Sequence, residues 1–588
     1  MVENIFSSKK GEINMDQENK EKPKKQKKVK VVYDVDGKMK KKKEREAAGF
    51  GKFNIIALII LVAVEALFYY FITPAINIHT TGFWVWLGLT VGGLLICTMD
   101  FASDSLVISK KKGQSKGVTG ASKWFAIALG LCVIVPIIGG IASSPIFRAS
   151  TYASIIEIQD GDFATDITPS ENIYDIALMD TDSARIIGER AIGSLSDVVS
   201  QYEVSDSYST IDYNGKPMKV STLEYAGFFK WVNNRDAGIP GYVLVDPVKN
   251  EAKYVKLEKP IKYTPSGCFG DNLYRKVQMS YPTYDFNGFY FELDNEGNPY
   301  YICPVLKPNA GLFGAKDVKG VVIFDPCTGD SEYLEVGQIP NWVDRVYDGD
   351  LACQKYNWYG NLSGGFINSI IGNKGCKVTT DDYGYKVMNG DVWVYTGVTS
   401  VNGDQSNIGF VMMNSRTGES KYYTIAGAEE HSAMESAEGQ VQNLGYEASF
   451  PSLINIDGVP TYIMVLKDNA GLVKMYAMVN VEKYNIVATG ATQREALASY
   501  RKLMAENGIL SNEVTISDET PNKKITVKEI RYISMEGETF VYITAKDGSV
   551  YKQNFAENES LIFIEPDMSI KVYYNETESG INELVSFE

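Results

Sequence analysis

The sequence predicts an α+β protein in which three N-terminal transmembrane helices precede an ectodomain of repeated helix-plus-antiparallel-sheet units and a small C-terminal β-barrel. Three observations predict it: three long apolar runs lie near the start of the 588-residue chain, a strand–turn–strand phrase recurs in its middle, and short strands with turns fill its end. A composition of 45% apolar, 22% charged and 12% aromatic residues is that of a chain that mostly folds. The length exceeds what one compact core usually serves, so several units are expected.

Charge divides the chain. Residues 1–52 hold sixteen Lys and Arg against nine Asp and Glu, whereas residues 149–588 hold thirty-six against sixty-one. The basic stretch, 1–52, is poor in apolar residues and reads as a disordered cytoplasmic tail that attracts anionic membrane lipids. Nothing aromatic interleaves with its lysines, so nucleic acid is not the expected partner.

Residues 53–142 then supply three spans. Phe53 to Ile72 is an apolar run broken by Asn54 and Glu65, long enough to cross about 30 Å of hydrocarbon. Phe83 to Met99 follows after a short loop without Lys or Arg, and Trp124 to Ile141 follows a loop with Lys110, Lys111, Lys112, Lys116 and Lys123. Basic segments favour the cytoplasm, so the N-terminus and the 102–123 loop are placed inside and everything after Ile141 outside. The first span is too long, and too far from the N-terminus, for a cleaved signal peptide. A cut near Ala142-Ser143-Ser144 would release the ectodomain. Glu65, unpaired in lipid, would cost a few kcal/mol, which calls for a helix-packing hydrogen bond in preference to an ion pathway. Gly88 and Gly92 form a small-xxx-small pair suited to close helix approach, within the bundle or in a homo-oligomer.

Residues 150–507 carry the repeats. GYVLVDPVKNEAKYV from Gly241, GVVIFDPCTGDSEYL from Gly320 and GFVMMNSRTGESKYY from Gly409 each give a strand, a turn and a strand ending in Tyr; YAMVNVEKYNIVATG from Tyr476 is a degraded copy. Asp246-Pro247, Asp325-Pro326 and Asn414-Ser415 open the turns, and Asn250, Gly329 and Gly418 occupy the position that tolerates positive φ. PYYICPVLKPNAGL from Pro299 and PTYIMVLKDNAGL from Pro460 are a second shared phrase. Helical patterns stand at Ala184, Val343, Ala428 and Thr492. At Thr492 the apolar face comprises Ala496, Leu497, Tyr500, Leu503 and Met504.

The order of helix, D-G-type turn and the D-P-x-T-G-D or R-T-G-E hairpin turn resembles PepSY-type domains of extracytoplasmic proteins, best at Asp325 to Asp330 and Arg416 to Glu419. The resemblance implies a curled antiparallel sheet on one helix and a binding or inhibitory role, and it brings no catalytic residues. Residues 508–588 read as strands separated by EG, KDGS and EPDM turns, which suits a small barrel of the SH3 or OB kind. Its acidity and its place outside the cell argue against oligonucleotide binding.

Chemistry is sparse. Two His in the whole chain exclude imidazole clusters and His-based metal centres. His431 stands in a Glu-rich helical pattern without a nucleophile elbow, and no CxxC spacing or EF-hand loop occurs. Catalytic residues, metal ligands and cofactors are therefore expected to be absent. Five of the seven Cys lie beyond the spans, with Cys353 and Cys376 nearest in sequence. The aromatic, Gly- and Asn-rich segment 356–375, with Tyr356, Trp358, Tyr359 and Asn361, reads as a loop, either a crossing between repeats or a binding loop that lines a groove for peptide or glycan.

The function expected is that of a non-catalytic, membrane-anchored binding or assembly module of a bacterial cell envelope, the source being inferred from forty-seven Lys against eleven Arg. Its partner would be an envelope protein, peptidoglycan or a secreted peptidase. An envelope hydrolase (peptidase or glycan hydrolase) and a sensor or transporter accessory subunit are the alternatives.

Overall fold

A computed structural model of the chain describes residues 52–98, 120–167, 176–193, 195–401, 406–509, 521–535, 538–555, 558–575 and 580–587. It also gives a hairpin of Val31–Tyr33 with Met39–Lys41, which the low apolar content of the tail did not lead us to expect. The disorder expected for the rest of the tail, and Lys110, Lys111, Lys112 and Lys116, lie outside the described residues.

Helices α1 (Lys52–Ile72), α2 (Thr81–Thr98) and α3 (Gly120–Ser143) are each long and apolar enough to cross a membrane. Their Ile, Leu and Val side chains point outward, an arrangement suited to lipid. Glu65 accepts a hydrogen bond from Trp86 Nε1 at 2.9 Å, so the mid-span carboxyl joins α1 to α2. A Cβ on Gly93 would lie 2.3 Å from Leu61 Cδ1 of α1, while Gly88 and Gly92 face Cys132 and Leu129 of α3. The small residues thus let α2 approach both neighbours. Trp86→Phe should lower the melting temperature of the detergent-solubilised chain, the bond being worth about 1 kcal/mol. Unchanged melting would show that Glu65 finds another donor.

A short helix, α4 (Pro145–Ala153), leads from these helices into four sheets that share one strand arrangement. The first comprises Tyr202–Val204, Ser209–Asp212, Pro217–Tyr225, Ile239–Asp246 and Glu251–Ile261. In the second these become Asp285–Phe286, Tyr290–Leu293, Pro299–Ala310, Gly314–Phe324 and Ser331–Glu335. In the third they are Lys377–Thr379, Gly384–Met388, Asp391–Ser400, Gly409–Asn414 and Ser420–Tyr423. In the fourth they are Glu447–Ala448, Ser452–Ile456, Val459–Lys467, Val473–Asn480 and Val487–Gly490. Each time the first two strands pair end to end along the third, the third pairs the fourth, and the fourth pairs the fifth, all antiparallel. Ile158–Asp160 adds to the third sheet in parallel, covering its Ser420–Tyr423 edge.

A helix precedes each sheet: α5 (Thr181–Gly193), α6 (Leu273–Ser280), α7 (Gly349–Leu362) and α8 (Glu430–Gln440). Helix α9 (Gln493–Glu506) follows the fourth and buries Ala496, Tyr500 and Met504 against it, with Thr492 Oγ1 accepting from Glu495 N at 3.2 Å as its cap. The cores run from sheet to sheet. In Pro299–Ala310, Tyr301, Cys303 and Val305 enter the core shared with the first sheet, while Ile302 between them enters the core shared with the third. In the third sheet, Trp393 and Tyr395 pack toward the fourth and Val394 toward the second. These alternations of period two explain why the central strands read as unbroken apolar runs: both faces are buried.

The C-terminal strands Asn522–Met535, Glu538–Ala545, Val550–Asn554, Ser569–Asn575 and Ile581–Phe587 pair in a ring, the third with the fifth in parallel and the fourth back with the first.

One expectation is corrected. Tyr356, Trp358, Tyr359 and Asn361 lie on α7, not in a loop. Asp348 Oδ1 accepts from Leu351 N at 2.7 Å and starts the helix there, so its pattern runs six residues beyond the stretch read from Val343 to Tyr356. Tyr356 is buried against Val398, Val411 and Tyr422, and the Trp358 ring meets Tyr152 at 5.0 Å.

Candidate functional site

The hairpin turns that carry the repeated phrase have a structural job. In all four sheets the residue opening the turn accepts backbone N–H bonds on its side chain: Asp246 from Val248 and Lys249, Asp325 from Cys327 and Thr328, Asn414 from Arg416 and Thr417, Asn480 from Lys483. Asn250, Gly329 and Gly418 adopt φ of 56°, 86° and 79°. The next carbonyl clamps the chain that enters the unit: Pro326 O accepts from Lys262 N and Tyr263 N at 2.9 and 3.0 Å, and Ser415 O from Val346 N and Tyr347 N at 3.0 and 2.7 Å. In the degraded copy Val481 O accepts from Ala428 N at 2.8 Å. Pro247 occupies the corresponding position of the first turn. The recurrent Gly and Tyr of the phrase are also partners: Tyr254, Tyr333 and Tyr422 lie against Gly241, Gly320 and Gly409, where a Cβ would collide with ring or backbone.

A group of ionisable side chains lies where the first three sheets meet. Glu292, on the second strand of the second sheet, accepts from Asp344 N at 2.9 Å and Arg345 N at 2.8 Å. Asp344 Oδ2 accepts from Asp212 N of the first sheet at 2.8 Å, and its Oδ1 has no hydrogen-bond partner. The Arg345 guanidinium lies between the rings of Tyr290 and Tyr385, 4.7 and 4.6 Å from their centroids, and donates to Tyr385 Oη. Tyr290 Oη in turn donates to Asp348 Oδ2 at 2.6 Å, tying the stack to the start of α7. Nearby, Arg416 holds Asp391 through two bonds of 2.6 and 2.9 Å.

Burial governs protonation here. It pushes the Glu292 carboxyl up to about 7 against the pull of its two N–H donors. Burial, reinforced by the Glu292 carboxylate, raises Asp344 well above the ordinary range. It also pushes the Lys219 ammonium down to about 8, with the Arg345 guanidinium adding to the effect. Burial alone would raise Asp180, but Lys467 and the Ser183 N–H hold it below the usual range. Two carboxyls that hold protons near neutrality would suit acid–base chemistry in an open cleft. Here Glu292 is 0% and Asp344 1% exposed, so no substrate reaches them. What the cluster does is join three sheets through buried hydrogen bonds.

The other candidates for chemistry are dispersed. His431 lies exposed on α8, and His79 Nδ1 lies 2.8 Å from Leu312 O between the spans and the second sheet. Among the described residues all seven Cys are free of disulfides, and burial pushes the thiols of Cys327 and Cys353 up to about 12. Among them, too, no group of three His, Cys, Asp or Glu could hold a metal ion. A shallow cleft of about 430 Å³ between the first and second sheets is lined by Arg235, Lys259 and Lys262 with Asp236 and Asp271. Sequence reasoning missed the carboxyl cluster because its members stand far apart in the chain; the one local signal was Glu292 and Asp344 among apolar neighbours. No protein-family model matches the chain, and a search of curated proteins finds no match.

Proposed function

We propose that the chain is a non-catalytic, membrane-anchored binding or assembly module of the bacterial envelope, holding an envelope protein, peptidoglycan or a secreted peptidase at the membrane. The observation that carries this reading is the sealing of the carboxyl cluster: Glu292 and Asp344, the buried carboxyls that hold protons, are spent on joining sheets, which leaves surface and sheet edges for a partner. The one strand arrangement, four times after a helix, supports the PepSY-like reading of the repeats. In the C-terminal ring, the order first–second–third–fifth–fourth suits an OB-type barrel better than an SH3-type one. The lysines flanking the apolar helices support a sheet-rich region outside the cell.

Two measurements test this. Protease added to intact protoplasts should remove the region after residue 145 and leave the basic tail protected; digestion of the tail from outside would reverse the orientation. His431→Ala should complement a null strain fully. Loss of complementation by stably expressed His431→Ala protein would move the envelope hydrolase to first place.

A further inference from the structure

The sheet-rich region meets the ends of the three apolar helices at one place. The tip joining the third and fourth strands of the second sheet sits among them, with Ser143 Oγ accepting from Leu312 N at 2.6 Å and Phe313 N at 3.1 Å. Ile76 N, just beyond α1, donates to Pro282 O at 2.7 Å. On either side of this junction the protein turns apolar side chains outward.

On the α1 side a run of rings leaves the helix end. Phe71 meets Phe269 at 6.5 Å, Phe269 meets Trp231 at 5.8 Å, and Trp231 meets Phe228 at 5.7 Å. Trp231 is buried, but the short helix that carries it, Phe228–Asn234, exposes Phe228, Phe229 and Val232, with Phe229 at 78%. On the α3 side, α4 exposes Ile146 and Phe147 directly after the helix ends. Tyr152 Oη donates to Ser143 O at 2.9 Å, and Trp358, Leu362 and Phe366 pack with Tyr152 in one cluster. The next residues of the chain expose Ile367, Ile370 and Ile371, the last at 81%.

We propose that these two patches, Phe228-Phe229-Val232 and Ile367-Ile370-Ile371, insert into the acyl–headgroup boundary of the bilayer crossed by α1–α3, so that the sheet stack lies on the membrane instead of standing off it. The occupant follows from continuity: each patch is joined to a span end by side chains in contact, so it lies at the level where lipid begins. On the α1 side the chemistry agrees. Arg235 lies 4.7 Å over the Trp231 ring, and Arg275 donates to Tyr70 O at 2.6 Å with its guanidinium 4.6 Å from the Tyr70 ring. Aromatic and aliphatic side chains backed by arginines are what a headgroup layer accommodates, with the apolar part in the acyl region and the cation at the phosphates. In water the same residues would be two apolar patches without cover.

The inference rests on the three helices spanning a bilayer, and the test separates the two. The full chain is reconstituted in phosphatidylcholine–phosphatidylglycerol vesicles with and without brominated acyl chains, as the parent and as Phe229→Trp, Ile371→Trp and Tyr484→Trp. The three positions are exposed, so the fold should tolerate each change. Quenching of the share of parent emission that comes from Trp84, Trp86 and Trp124, three of its seven Trp, reports that the helices lie in lipid. The emission added by Phe229→Trp and Ile371→Trp should be blue-shifted and lost in brominated lipid, whereas that added by Tyr484→Trp, on the outer turn of the fourth sheet, should stay water-like and unquenched. Water-like, unquenched emission at 229 and 371 in a chain whose parent is quenched would overturn the insertion alone. Blue-shifted but unquenched emission would overturn it in favour of a protein occupant, such as a second copy. An unquenched parent would overturn the membrane reading and the inference with it.

Discussion

Gly329→Val should destabilise the full chain by several kcal/mol and lower its melting temperature, with Gly418→Val doing the same to a smaller extent. At φ of 86° and 79° neither position suits a β-branched residue, a conformational cost of about 1 to 2 kcal/mol. Space then separates them. A Cβ at 329 would lie 2.7 Å from the Tyr263 ring, and one at 418 would lie 3.1 Å from Tyr347, so the first must displace its ring while the second needs a small shift. Overpacking of this kind adds about 1 to 3 kcal/mol. Both rings belong to the clamped segments, so displacement also strains the bonds from Tyr263 N and Tyr347 N. Asn stands at the equivalent position 250 with φ of 56°, so Gly418→Asn should recover most of the loss. Unchanged melting for both Val variants would refute the role given to the turns.

Glu292→Ala should also cost several kcal/mol, since it leaves Asp344 N and Arg345 N without acceptors in a sealed site at about 1 to 3 kcal/mol each, and opens a cavity as well. The same residue sets a pH dependence. Its carboxyl titrates at about 7 when folded and near 4.5 when unfolded, so the folded chain holds a proton that the unfolded chain releases between those values. Stability from this group is full below pH 4.5 and is lost as pH rises through 7, by about 3 kcal/mol in all. The raised Asp344 acts with the same sign. Glu292→Gln removes the titration while setting an N–H₂ against a backbone donor. It should therefore be less stable than the parent at pH 5, with the gap narrowing toward pH 7.5. Chemical denaturation at both pH values measures it; a gap that is constant or widens toward pH 7.5 would contradict the protonation assigned here.

Local patterns were legible in the sequence wherever a physical demand falls within a few residues. The apolar runs gave the three helices, and Asp325, Thr328 and Gly329 announced their turn because side-chain acceptor and positive φ lie four residues apart. The face of α9 was readable for the same reason. What stayed hidden was set by distant partners. The stacking of the sheets depends on which of Tyr301, Ile302 and Cys303 meets which neighbour, and a buried run does not say. The second half of helix α7 was read as a loop because Gly360 and Asn361 suggest one, whereas Gly360 is small in order to let Lys377 O approach. Asp212, Glu292 and Asp344 could not be grouped before the first two sheets and their linkers were placed.

The clamps impose an order in time. Each linker is held by a carbonyl of the sheet that follows it: Tyr263 by Pro326, Tyr347 by Ser415, Ala428 by Val481. During synthesis from the N-terminus, no linker can lock until the ribosome has delivered nearly all of the next unit, so every finished sheet waits with a loose exit. The last clamp closes only after Val481 emerges, with α9 and the C-terminal ring still to come. A stalled or truncated chain ending in the middle of a sheet therefore leaves the preceding linker open as well as its own strands unpaired.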